Sequence, residues 1–156
     1  MDRRLPVALV ALLAAGCGGG DEKAKVTPTP PPAGPSVEQA REVITGWSDA
    51  LRGSNVEKAA TFFTIPLVVS QGRSARLTTR ARVRLFNAGL PCGSKVTGVE
   101  RQEGYFVASF VLTERPGQRC DGPGNPAQVA FKLSGDRIRE WRQLVQQAPP
   151  PDTEAS

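Results

Sequence analysis

The sequence predicts an α+β fold: a curved antiparallel sheet of about four to five strands wrapped around three N-terminal helices, shaped like a cone. Three observations carry this. Helical apolar spacing dominates residues 36–90, and strand-like runs dominate residues 95–145. Two short turns, Glu103-Gly104 and Ser134-Gly135-Asp136, each separate a pair of strand-like runs. Helices gathered before a run of hairpins pack as α+β rather than as alternating parallel units.

The elements follow in order. Ser36 opens the first helix, and Gln39 stands three residues later at capping-box spacing. Val37, Ala40, Val43, Ile44, Trp47, Ala50 and Leu51 then share one face. Glu38, Glu42, Thr45 and Asp49 fall on the other, and Gly53 stops the helix. Ser54 with Glu57 reads as a second capping box, for a short helix through Ala59, Ala60, Phe62 and Phe63. Pro66 to Ser70 reads as a strand, because proline is excluded from a helix interior. Arg73 to Leu77 is a connection or short strand. Thr78 or Thr79 caps a third helix to about Ala88, with Thr79, Val83, Phe86 and Leu90 on one face. Lys95–Gln102 and Tyr105–Thr113 form one hairpin; Ala127–Leu133 and Arg137–Val145 form another. Between them, Arg115–Asn125 is a loop rich in glycine and proline.

The flanks carry an address. The chain has 156 residues, enough for one ordinary domain, with 39% hydrophobic residues, 16 Gly and 14 Pro. The low apolar share belongs to its ends. Residues 1–16 read as an export signal: Met1-Asp2-Arg3-Arg4 is basic, and Leu5–Leu13 is apolar but too short to span a bilayer. Leu13-Ala14-Ala15-Gly16-Cys17 then resembles the lipobox of bacterial lipoproteins. That resemblance makes Cys17 the first mature residue and the carrier of a lipid such as palmitate. Ala14 stands where the pattern prefers a large aliphatic residue, and ordinary signal cleavage is the alternative. Residues 17–35 form a Gly- and Pro-rich tether, 36–147 the folded domain, and 148–156 a disordered tail. The expected location is the extracytoplasmic face of a cell membrane, with the lipid as the membrane contact.

Composition limits the chemistry. With no histidine, triads, Cys-His dyads and histidine metal sites are excluded. Three cysteines are too few for a four-thiolate zinc site, so no metal and no cofactor is expected. Cys92 and Cys120 flank the open end of the first hairpin, and export favours a disulfide between them. Such a bridge is worth about 3 kcal/mol in the chain-entropy model. Arg73, Arg76, Arg80 and Arg84 stand in a stretch with no acid between Glu57 and Glu100, a candidate anion-binding set against the plainer reading of an exposed flank. Nucleic acid is not expected as a partner of an exported chain.

A long first helix, a short second helix after Gly53-Ser54-Asn55, and the closing run Gly135-Asp136-Arg137-Ile138-Arg139-Glu140-Trp141-Arg142 resemble the nuclear-transport-factor-2-like superfamily. SnoaL-like members often end in a similar Gly-(Lys/Asp)-x-Ile-x-x-Trp-Arg strand. The likeness spans residues 36–146 and implies a cone with a cavity at its mouth. It does not imply one activity, since the superfamily holds isomerases, dehydratases, cyclases and domains that only bind. Its enzymes project acids, tyrosines and often histidines into the cone. Here Glu38, Glu42 and Asp49 fall on the outer face, and Tyr105 sits beside a turn. Glu140 alternates with Trp141, so either faces inward, and a bulge would change the phase. Glu140 and Glu114 are the acids to test, and no catalytic residue is assigned. Trp47, Phe63, Phe86 and Trp141 are the candidates for a pocket wall.

The expected function is a membrane-anchored extracytoplasmic lipoprotein whose cone binds a small apolar ligand or a protein partner without catalysis. One alternative is a SnoaL-like isomerase, dehydratase or cyclase. Another is an interaction module for anionic envelope components, or a homodimer paired through the sheet face.

Overall fold

A computed structural model describes residues 34–145. The signal segment, Cys17, most of the 17–35 tether and the 148–156 tail lie outside the described residues. The order is α1 (Val37–Arg52), α2 (Val56–Thr61), β1 (Phe63–Gln71), β2 (Arg73–Leu77), α3 (Arg80–Gly89), β3 (Gly93–Gln102), β4 (Tyr105–Thr113), β5 (Pro126–Ser134) and β6 (Arg137–Leu144).

The helix signals act where the chain places them. Ser36 accepts from the Gln39 N–H and the Gln39 side chain returns the bond, so α1 starts in a reciprocal capping box. Its apolar face is buried, with Ala40 and Ile44 fully enclosed. Thr79 caps α3 by accepting from the Arg82 N–H. The second helix differs from expectation. Its cap is Asn55, which accepts from the Lys58 N–H, while the Ser54 hydroxyl donates to the Pro116 carbonyl. The helix ends at Thr61, and Phe63 begins a strand instead of closing the helix.

All strands join one curved sheet in the order β2-β1-β6-β5-β4-β3. It has six strands rather than four to five, because β1 and β2 extend it as their own hairpin. One pairing is parallel, β1 with β6, so the sheet is not wholly antiparallel. The expected hairpin turns are present, and Glu103 (φ 47°) and Gly104 (φ 79°) take the two left-handed positions of a turn whose twist suits the strands. At the start of β3 the chain passes so close to α1 that a Cβ on Gly93 would lie 2.7 Å from Thr113 Oγ1 and 3.0 Å from Arg52 Cα. Only glycine fits that approach.

The core lies between the helices and the concave face of the sheet. Trp47 is its hub, with ring centroids 5.9 Å from Phe63, 6.3 Å from Phe110 and 5.7 Å from Phe131. The pairs with Phe63 and Phe131 meet edge to face, the arrangement favoured by the ring quadrupole.

Candidate functional site

A cavity of about 160 Å³ opens where β4, β6 and β1 end, β5 begins and α3 runs into β3. Leu51, Leu90, Phe110, Leu112 and Val129 supply apolar wall. Trp47 and Trp141 also line it. Phe63 and Phe86 do not; they stand behind, in an aromatic chain that runs Trp47–Phe63 (5.9 Å), Phe63–Phe86 (6.1 Å) and Phe86–Trp141 (5.1 Å). The four candidates are thus brought together, two as wall and two as its backing.

The polar lining is uncharged: Gln71, Ser94, Gln128 and Gln143. Most of it is engaged. Gln71 donates to Gln143 at 3.3 Å, and Gln128 donates to Ser109 Oγ at 3.2 Å. Ser48 donates to the Ser94 carbonyl at 2.8 Å. The Trp47 indole N–H donates to Asn87 Oδ1 at 2.8 Å. The Trp141 indole N–H, in a residue only 3% exposed, has no acceptor among the described residues. A buried donor without a partner forfeits its hydration and gains nothing in return, so such groups are rare.

Trp141 faces inward because of a bulge. β5 pairs Lys132 with Glu140 and Leu133 with Ile138, leaving Arg139 without a partner. Ile138 and Trp141, three apart, therefore both reach the core, and Glu140 is turned to the other face. There Glu140 accepts from Tyr105 at 2.8 Å and pairs with Arg142 (3.0 Å) and Lys132 (3.5 Å). Burial pulls the Glu140 carboxyl up, but the Tyr105 hydroxyl, Lys132 and Arg142 together hold it below its ordinary value. Lys132 is held above its own ordinary value, chiefly by Tyr105, over whose ring its ammonium lies at 4.2 Å. Tyr105 and Glu140 do meet, but neither lines the cavity.

Two ties hold the cavity rim. Cys92, part of the lining, is bridged to Cys120 with Cα atoms 4.6 Å apart, as the sequence led one to expect. Beside it Arg115, 3% exposed, donates to the Asn87 carbonyl at 2.9 Å, the Leu90 carbonyl at 2.6 Å and Ser54 Oγ at 3.2 Å. These carbonyls end α3, where the helix dipole favours a cation. Burial holds the Arg115 guanidinium below its ordinary pKa. Nothing local marked Arg115 or Asn87 in the sequence. An arginine in a Gly- and Pro-rich loop reads as solvated, and an asparagine late in a helix reads as surface.

The arginine set divides. Arg80 donates to the Ala60 carbonyl and Arg84 pairs with Glu57 at 3.1 Å, so both serve the α2–α3 contact. Arg73 and Arg76 lie exposed on β2, an edge strand of the sheet.

No protein-family model matches the chain, and no curated protein matches it by sequence. Solved structures do match. One is a protein with a ketosteroid isomerase-like fold from Catenulispora acidiphila, in complex with trimethylamine (18% identity, 67% of this chain and 85% of that one, TM-score 0.54). Another is a nuclear-transport-factor-2-like protein of unknown function from Cytophaga hutchinsonii (10% identity, 70% and 91%, TM-score 0.53). The fold is nuclear-transport-factor-2-like. A designed protein with a curved β-sheet also matches (15% identity, 77% and 92%, TM-score 0.56). In this fold the cavity lies inside the cone and the Tyr105–Glu140 pair outside it.

Proposed function

We propose that this is a binding domain of a lipid-anchored extracytoplasmic protein. Its cone takes a small, mostly apolar, uncharged molecule bearing one hydrogen-bond acceptor. The observation that carries the reading is an apolar cavity with no charged lining residue, walled in part by Trp141, whose buried indole N–H has no acceptor among the described residues. Apolar walls supply affinity and one placed donor supplies orientation. The cavity volume is that of a molecule about the size of benzene. The trimethylamine complex of the Catenulispora protein is consistent with this scale of ligand. An isomerase or cyclase would call for convergent acids or a tyrosine in the cone, and those groups face outward. Pairing of two copies through the sheet face forms no part of the proposal, because Tyr105, Lys132, Glu140 and Arg142 give that face a charged cluster already satisfied within itself. The anchor rests on the lipobox resemblance at Cys17, with the Pro-rich tether as spacer.

Cyclohexanone and cyclohexane have similar size and differ by one acceptor. The chain has two tryptophans, so its indole N–H signals are readily assigned by NMR. Cyclohexanone is expected to shift the Trp141 signal and to bind more tightly than cyclohexane. Trp141→Phe is expected to weaken cyclohexanone about tenfold and leave cyclohexane nearly unchanged. Equal binding of the two probes, or binding of neither, overturns the reading.

A further inference from the structure

The convex face of the sheet carries a second concavity, independent of the cone. It arises from two irregularities that face one another. Arg139 is the bulged residue of β6. On the neighbouring strand the register jumps from Phe63↔Ile138 to Val68↔Glu140, so Thr64–Leu67 stand opposite that single residue. The mismatch opens a groove of about 340 Å³ between β1 and β6. Arg139 lines it from β6 and Arg76 from β2, with the hydroxyl-bearing Ser134 and Thr64 nearby.

Both guanidiniums are exposed, and neither has a carboxylate partner among the described residues. The one acid that lines the groove, Glu140, is occupied by Tyr105, Lys132 and Arg142. Thr64 turns its hydroxyl hydrogen to the Pro66 carbonyl at 2.8 Å, which leaves Ser134 as the hydroxyl donor. Among the charged residues that line the groove, Arg76 and Arg139 stand against Glu140 alone, whose charge Lys132 and Arg142 already oppose, so the groove carries a net positive charge.

We propose that this groove is a phosphate-binding site, in which Arg76 and Arg139 clasp a phosphate group and Ser134 donates to it. Guanidinium forks match phosphate oxygens in pairs, and two converging arginines satisfy a dianion better than a diffuse basic surface does. The bulge has a function in this arrangement. It sets Trp141 inward and hands its extra residue, Arg139, to the outer face. A free phosphate ester and a phospholipid headgroup present the same chemistry, and experiment separates them.

The full chain with Cys17→Ser, which removes the acylation site, is titrated with inorganic phosphate while arginine Nε signals are followed by NMR. Arg76→Ala and Arg139→Ala are each expected to weaken binding about tenfold, the loss of one charge-assisted pair. Arg82→Ala, an equal loss of charge on the exposed side of α3, is expected to change it less than about twofold. Cosedimentation with vesicles of phosphatidylglycerol in phosphatidylcholine identifies the source. Retention that falls with the same two substitutions assigns the headgroup; retention indifferent to them, with phosphate binding still dependent on both, assigns a soluble phosphate ester. The proposal fails if neither probe depends on Arg76 and Arg139, or if Arg82→Ala costs as much. Trp141→Phe should leave phosphate binding unchanged, so this site and the cone stand or fall separately.

Discussion

Trp47 and Trp141 belong to one aromatic chain but are satisfied differently. Trp47 gives its N–H to Asn87, whose amide in turn donates to the Val83 carbonyl at 2.8 Å. Replacing Trp47 with Phe strands a buried amide oxygen; replacing Trp141 with Phe strands nothing. In urea unfolding, Trp47→Phe is therefore expected to lose about 1–3 kcal/mol more than Trp141→Phe. Glu140 supports a second residue-scale prediction. Its folded pKa lies below its unfolded one, so its stabilisation is complete above the ordinary carboxylate value of about 4.3 and disappears as pH falls through the lowered folded value. Glu140→Gln should flatten the acid limb of a stability–pH profile measured by thermal melting below about pH 5. Lys132 has the opposite sign: its contribution holds below its ordinary pKa and is lost as pH rises through the raised folded value. At this scale the sequence was legible in part. Trp47 and Trp141 could be picked out as wall candidates, but which indole would lack a partner depended on Asn87, 40 residues from Trp47.

Among the elements, those with local chemical signals are the ones the sequence placed well. The Ser36–Gln39 box, the Thr79 cap and the span of β4 match the structure. The α2–β1 boundary was missed because Phe62-Phe63 suits a helix face as well as a buried strand, and only packing against Trp47 and β6 decides. The bulge at Arg139 left a usable trace: Ile138 and Trp141 both need burial, yet three-residue spacing cannot put both on one face of a regular strand. An extra residue is the solution. The disulfide is also an element-scale device, closing the β3–β4 hairpin and the 115–125 loop against the end of α3. Reduction by dithiothreitol is expected to lower stability by about 3 kcal/mol in chemical denaturation. Since Cys92 is cavity wall, the same treatment should weaken cyclohexanone binding; an unchanged affinity would show that Arg115 alone holds the rim.

For the whole molecule, the α+β class and the cone could be read from the order of patterns, and the parallel β1–β6 pairing could not. It joins segments more than 60 residues apart, and no local pattern encodes such a partner. The proposed anchor is a property of the full chain. Expressed with its first 17 residues in a bacterial host, the protein is expected in the membrane fraction, and Cys17→Ser is expected to release it; release of neither form, or of both, counts against lipidation.

The position of β6 has a consequence for how the chain comes to its native state. The last strand of the described region lies third in the sheet, bridging the β1–β2 hairpin to β5, β4 and β3. Until residues 137–144 leave the ribosome, α1, α2 and β1 have no Trp141 or Ile138 to cover them. Their apolar faces wait for a contact of high sequence separation, which slows folding and makes it all-or-none rather than progressive. A partly synthesised chain therefore stays pliant, and under the proposed export a polypeptide threaded outward before it folds would gain from that delay.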